Sequence, residues 1–94
     1  MKTRITTSQE TGCFNGWVDG VLIAQAQTKI QCYARLACFI AKTAMPGCKV
    51  YHSEKSITVL SDGVTDIEKT AKNAGIKLTA VEKNMAKNTV TLYV

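Results

Sequence analysis

One sequence pattern occurs twice in this chain and constrains its fold more than any other feature. Residues 28–35 (TKIQCYAR) and 65–72 (TDIEKTAK) both read Thr, any residue, Ile, Gln or Glu, any two residues, Ala, then Arg or Lys. This is a capping box: the threonine oxygen accepts from the backbone N–H three residues later, and the Gln or Glu side chain bonds the threonine N–H. Each copy therefore predicts a helix start, and each follows an apolar stretch that reads as a strand.

The two copies begin at positions 28 and 65, an offset of 37 residues. Outside the boxes and the preceding strands, the two halves hardly match. The offset fits either a decayed strand–helix duplication or two independent uses of a common cap, and we favour the second interpretation.

Residues 2–28 predict a three-stranded meander. An Asp-Gly pair at positions 19–20, between two apolar stretches, favours a two-residue type I′ hairpin. Both faces of this hairpin are apolar, so the pattern leaves open which face is buried. The predicted cross-strand pairs are Trp17 with Leu22 and Asn15 with Ala24.

The first helix is predicted over residues 29–43, and Met45-Pro46-Gly47 ends it. A helix this apolar is buried on two sides, and in so small a chain the second side is a candidate contact with a second copy. The predicted buried stripe is Ile30, Tyr33, Ala34, Ala37, Ile40, Ala41 and Ala44.

The C-terminal half predicts a strand or hairpin, a short second helix and a terminal hairpin. We therefore expect one α+β domain over residues 1–94, in the order β-β-β-α-β-α-β-β with one extra strand as an alternative. Its sheet is predicted to be mixed and mostly antiparallel, with both helices on one face. The segments are a strand or hairpin at 48–60, a helix at 66–74 before Gly75, and strands at 76–80 and 89–94 around a polar tip at 83–88.

The composition predicts a cytoplasmic protein that needs no cofactor or metal. No apolar run approaches the length of a membrane span, and the basic N-terminus lacks the apolar region of a signal peptide. The four cysteines, Cys13, Cys32, Cys38 and Cys48, lack zinc-like spacing with His52, so we expect small, buried or half-buried thiols.

A cysteine hydrolase is the strongest enzyme candidate in the sequence. Cys32 lies in the first turn of the predicted first helix, where the helix dipole lowers a thiol pKa, and His52 follows on the next segment. No third orienting residue or glycine-rich oxyanion loop is visible, so we expect no catalysis.

Protein–protein interaction is the function that we favour. The first helix is too apolar for one small core, and Met85 lies at an otherwise polar loop tip. The last strand, residues 89–94, is also a candidate sheet edge that pairs with another chain, including a second copy. The candidate partner-binding residues are Lys83, Met85, Lys87, Tyr93 and Val94.

Nucleic-acid binding is the alternative, through a lysine-rich hairpin tip and a sheet face. The net charge is +5, but the excess of basic residues is spread along the chain. The candidate residues are Lys49, Lys55, Lys77, Lys83 and Lys87, with Tyr93, Tyr51 or Trp17 for base stacking.

These features together predict a small, non-enzymatic binding protein that occupies a surface of a larger protein. A short, mildly basic chain without recognisable motifs is typical of accessory proteins of viruses and mobile elements, including inhibitors of host defence. We therefore expect an inhibitor or accessory protein of that type.

Overall fold

The computed structural model describes residues 1–60 and 65–94, and it confirms the predicted α+β class and element order. Residues 48–60 form a hairpin, so the extra strand is present. The elements are β1 (Thr3–Thr7), β2 (Phe14–Val18), β3 (Val21–Ala26), α1 (Lys29–Ala44), β4 (Val50–His52), β5 (Ser56–Leu60), α2 (Ile67–Asn73), β6 (Ala80–Asn84) and β7 (Thr89–Tyr93).

The strands form two sheets, where the sequence predicted one. The first sheet has the order β1-β2-β3, and the second has the order β4-β5-β7-β6. Every pairing is antiparallel, so neither sheet is mixed. The division follows the chain, because α1 separates the three strands of the first sheet from the four strands of the second.

The β2–β3 hairpin has the predicted turn. Asp19 and Gly20 both have positive φ, at 50° and 81°, as a type I′ turn requires. Trp17 pairs with Leu22, as predicted. The Asp-Gly signal therefore predicted both the turn and the strand pairing next to it.

A β-bulge changes the register farther from the turn. It lies where the pairing shifts between Gly16 and Trp17. The predicted pairing of Asn15 with Ala24 is therefore wrong: Asn15 pairs with Gln25, and Ala24 pairs with Gly16. An extra residue on one strand shifts every pair beyond it by one position.

Helix α1 starts at the predicted cap. The Thr28 side-chain oxygen accepts a hydrogen bond from the Gln31 backbone N–H at 3.1 Å. The helix packs against strands of both sheets and against α2. It therefore joins the two sheets into one core.

The expected burial of α1 on two sides is confirmed, but the chain itself covers both sides. The predicted stripe was incomplete: Cys32, Leu36 and Cys38 are also buried. Ile30 was placed in that stripe wrongly, since it is 45% exposed at the start of the helix. The hypothesis of a homodimer through residues 29–43 needed an uncovered apolar side on α1. The chain itself covers that side, so this support for the hypothesis is lost.

The first sheet approaches α1 closely at Gly16. A Cβ atom at Gly16 would lie 2.9 Å from the Cys32 sulfur and 2.9 Å from two carbons of Leu36. Only a glycine permits this spacing without movement of the neighbouring side chains. The second sheet instead presents large aliphatic side chains to the core, and Ile57, Val59 and Leu92 are fully buried.

Helix α2 begins one residue later than predicted. Its N-cap is Asp66 rather than Thr65, because the Asp66 carboxylate accepts from the Lys69 backbone N–H at 3.1 Å. Aspartate caps a helix at least as well as threonine, so the second capping box was misassigned. Gly75 follows the helix with φ of 96°, as predicted for its C-terminal turn.

The terminal hairpin is shifted from its predicted position. Its first strand is β6 at Ala80–Asn84 rather than 76–80, because Ile76 is buried in the core directly after α2. The strand β7 lies between β5 and β6. The prediction that residues 89–94 form a sheet edge is therefore wrong, and both backbone sides of this strand are paired.

Neither helix within the described ranges combines the length and apolarity that a membrane crossing requires.

Candidate functional site

The outer face of the second sheet carries a row of polar and aromatic side chains. Since Ile57 and Leu92 point into the core, strand alternation places Thr58 and Thr91 on the opposite face. These two threonine hydroxyls are hydrogen-bonded at 3.0 Å. Tyr51, which is 63% exposed, and Glu82 continue the same row on the two edge strands.

The turn between β6 and β7 projects from this sheet, and we call residues 83–88 the hairpin tip. Met85 is 85% exposed, more than any other large hydrophobic residue in the described part of the chain. The Asn84 side-chain oxygen accepts from the Lys87 backbone N–H at 3.2 Å, and Asn88 takes a positive φ of 52°. The local backbone is thus ordered by side-chain bonding and a left-handed residue, as in a defined turn.

A groove of about 560 Å³ lies between the hairpin tip and the outer face of the second sheet. The tip contributes Met85 and two lysines to the lining, and the sheet contributes threonines and Glu82. Lys83 alternates with Glu82 along β6, so its side chain leaves the strand on the opposite face. The groove therefore combines three of the residues that the sequence proposed for partner binding. Its lining residues are Thr58, Glu82, Lys83, Asn84, Met85, Lys87, Thr89 and Thr91.

The other two proposed partner-binding residues lie apart from this groove. The Tyr93 hydroxyl donates to a carboxylate oxygen of Glu82 at 3.2 Å, and this bond, together with the negative charge, raises the pKa of Tyr93. The Val94 backbone N–H donates to the Lys55 carbonyl at 2.9 Å. Both residues are half-buried parts of the sheet structure.

The five lysines of the nucleic-acid hypothesis do not form one patch along the groove. Lys83 and Lys87 line it, but Lys49, Lys55 and Lys77 do not. Lys49 precedes β4, Lys55 lies in the β4–β5 turn, and Lys77 follows α2. All five are exposed.

The proposed cysteine nucleophile has an environment that opposes its ionisation. Cys32 is fully buried, and burial raises the pKa of its thiol despite the nearby Arg35 guanidinium. Its S–H group lies 3.8 Å from the Phe14 carbonyl oxygen, which it contacts as a weak donor. His52 lies at an open pocket that Cys32 does not line, so the two groups do not form a nucleophile–base pair there.

All four cysteines are free thiols, and each is buried or half-buried, as the sequence predicted. Within residues 1–60 and 65–94, no group of three His, Cys, Asp or Glu side chains is placed to hold a metal ion.

The structure also settles which side of the first sheet faces solvent, and the sequence had left this open. Gly16 and Val18 are buried, whereas Trp17 lies on the outer face. The Trp17 indole N–H donates to the Thr6 hydroxyl at 2.8 Å, and the Arg4 guanidinium lies 5.7 Å from the indole ring centroid. The sequence predicted no register for β1, and therefore could not place Arg4 and Thr6 beside Trp17.

Comparisons with protein-family models, with curated proteins and with solved structures found no match to this chain.

Proposed function

We propose that this protein is a non-catalytic binding protein that acts by occupying a surface of a larger protein, as an inhibitor or accessory factor. The observation that carries this proposal is Met85, which is 85% exposed at the end of a projecting hairpin. An apolar, flexible side chain in this position gains little from its own fold. It gains most when a partner removes it from water.

The groups around Met85 support contact with a protein. Lys83 and Lys87 lie on either side of it in sequence and line the same groove, together with Asn84 and three threonines. An apolar anchor with a polar rim is the usual arrangement of a protein interface. The free thiols of all four cysteines agree with a reducing compartment, and we place the protein in the cytoplasm on that basis.

Affinity capture from an extract of the natural host tests this proposal. The full chain is immobilised as wild type, as Met85→Asp and as Ile30→Asp; Ile30 is a matched control because it is apolar and 45% exposed on a different element. We expect one captured protein that Met85→Asp loses and Ile30→Asp retains, with or without nuclease. Equal capture by both variants, or capture that nuclease abolishes, would contradict the proposal.

The second candidate function is binding of single-stranded nucleic acid to the same groove. Its support is that Lys87 lines a groove that Thr58 and Thr91 also line, with exposed Tyr51 in the same row across the sheet. Lys83 is a second lysine of this lining, although it alternates with Glu82 along β6. Ammonium groups contact phosphates, and an exposed aromatic ring stacks on a base. Glu82 lines the same groove and opposes this function, because it repels phosphate.

Fluorescence polarisation with labelled single-stranded oligonucleotides at low salt separates the two functions, since phosphate contacts are strongest there. Under the nucleic-acid hypothesis, the pair Lys83→Glu and Lys87→Glu abolishes binding. The pair Lys42→Glu and Lys69→Glu is the control, because it makes the same change in net charge at exposed positions on the two helices. No binding by the wild type, or equal loss in both variants, rejects this groove as a nucleic-acid site.

A further inference from the structure

The outer face of the first sheet carries a second cluster of side chains, separate from the hairpin tip. Because Gly16, Val18 and Ala24 point into the core, the residues that alternate with them face outward. We call this surface the Trp17 face. Its members are Arg4, Thr6, Asn15, Trp17, Leu22 and Gln25.

Contacts within the chain already fix the orientation of the Trp17 side chain. Its indole N–H donates to Thr6 at 2.8 Å, and the Arg4 guanidinium lies over its ring at 5.7 Å from the centroid. Leu22 lies directly opposite on β3 and is 44% exposed. Tryptophan, arginine and a neighbouring apolar side chain form the composition typical of interface hot spots, and fixed rotamers lower the entropic cost of binding.

The charge of this face is unbalanced. Arg4 makes no ion pair with any residue that the structure describes, and none of the six members of the Trp17 face is acidic. The nearest turn carries Asp19, but its carboxylate accepts from the Lys2 backbone N–H at 2.9 Å. A carboxylate from outside the chain would therefore meet an exposed guanidinium that has five N–H donors and no competing acid on the face.

We propose that the Trp17 face binds a segment of a partner protein that presents an apolar side chain next to a carboxylate. The apolar group packs on Trp17 and Leu22, and the carboxylate bonds the Arg4 guanidinium. This inference shares with the proposed function only the requirement for a protein partner. The Trp17 face lies on the first sheet, whereas the hairpin tip belongs to the second.

Two observations favour an acidic peptide over a nucleic acid at this face. The Arg4 guanidinium already covers one side of the Trp17 ring, so a base stacks there only if it displaces Arg4. Arg4 is also the only cationic member of the Trp17 face, whereas a single strand needs several cations to follow its phosphates.

Panning of a phage-displayed library of short random peptides against the full chain tests the inference. Trp17 is the only tryptophan, so its fluorescence reports binding of each synthetic, tryptophan-free peptide at this face directly. We expect the enriched peptides to combine an aliphatic or aromatic residue with Asp or Glu, and to change the Trp17 emission. Arg4→Gln should weaken their binding about tenfold, as expected for loss of a hot-spot charge.

Matched variants distinguish this site from the hairpin tip. Lys29→Gln removes the same charge from an exposed position in the first turn of α1, and Met85→Ala removes the anchor of the tip; neither should change peptide affinity. Peptides that lose binding with Met85→Ala but not with Arg4→Gln would support the proposed function and overturn this inference. Enrichment without acidic residues, no enrichment, or equally tight binding of oligothymidylate at Trp17 would also overturn it.

Discussion

The two sheets contact the same helix by different means. The first sheet meets α1 through small residues, of which Gly16 leaves no space for a Cβ atom. The second sheet fills its side of the core with Ile57, Val59 and Leu92, all fully buried. The comparison shows that one apolar helix is stabilised by close backbone approach on one side and by side-chain volume on the other. This is how so short a chain covers α1 with its own two sheets.

The largest effect is expected where the second sheet contributes volume. Leu92→Ala removes a fully buried side chain between two neighbouring strands, and should lower the free energy of unfolding by about 2–5 kcal/mol. Thr91→Ala, the next residue on the opposite face of β7, is the matched control and should cost far less. Chemical denaturation measures both, and equal losses would show that Leu92 does not lie in the core.

A smaller loss is expected where the first sheet depends on close approach. Gly16→Ala places a methyl group 2.9 Å from Cys32 and Leu36, and such overpacking should cost about 1–3 kcal/mol. The same substitution combined with Leu36→Val, which shortens the opposing side chain, should cost less than the sum of the two single changes. Strict additivity in this double-mutant cycle would contradict the close contact between Gly16 and α1.

The smallest losses of stability are expected for substitutions of aromatic residues on the two outer faces. Trp17→Phe keeps a ring but removes the bond to Thr6 and weakens the contact with Arg4, so we expect a loss of about 1 kcal/mol. Tyr93→Phe removes only an exposed bond to Glu82 and should leave the midpoint of thermal unfolding unchanged. If Tyr93→Phe were the more destabilising change, the contacts of Trp17 with Thr6 and Arg4 would contribute less stability than the exposed Tyr93–Glu82 bond, which would contradict this account.

Sequence reasoning succeeded where the signal was local. The Asp-Gly turn and the Thr28 cap depend on a few adjacent residues, and the structure has both. The N-cap of α2 was predicted one residue too early. Thr65 and Asp66 are both good N-cap residues, so N-cap preference alone does not choose between them. The position of β7 inside its sheet also could not be predicted, since strand order depends on pairing between residues far apart in the sequence.

The candidate sites show the same limit. The exposure of Met85 followed from a polar loop around one apolar residue, and the structure confirms it. The Trp17 face required the register of β1 against β2 and the position of the bulge in the β2–β3 pairing, neither of which the alternation pattern contains. Tyr93 and Val94 were predicted to lie on an edge strand. Strand β7 instead lies inside the second sheet, because it pairs with β5 on one side and with β6 on the other.

Site-specific photo-crosslinking from position 85 tests the central proposal most directly. A diazirine amino acid replaces Met85 in the full chain, the complex with host extract is irradiated, and the adduct is identified by mass spectrometry. The same label at Lys69, exposed on α2, is the control. The proposal predicts one covalent protein adduct from position 85 that survives nuclease and is absent from position 69. Identical adducts from both positions, or an adduct to nucleic acid alone, would contradict it.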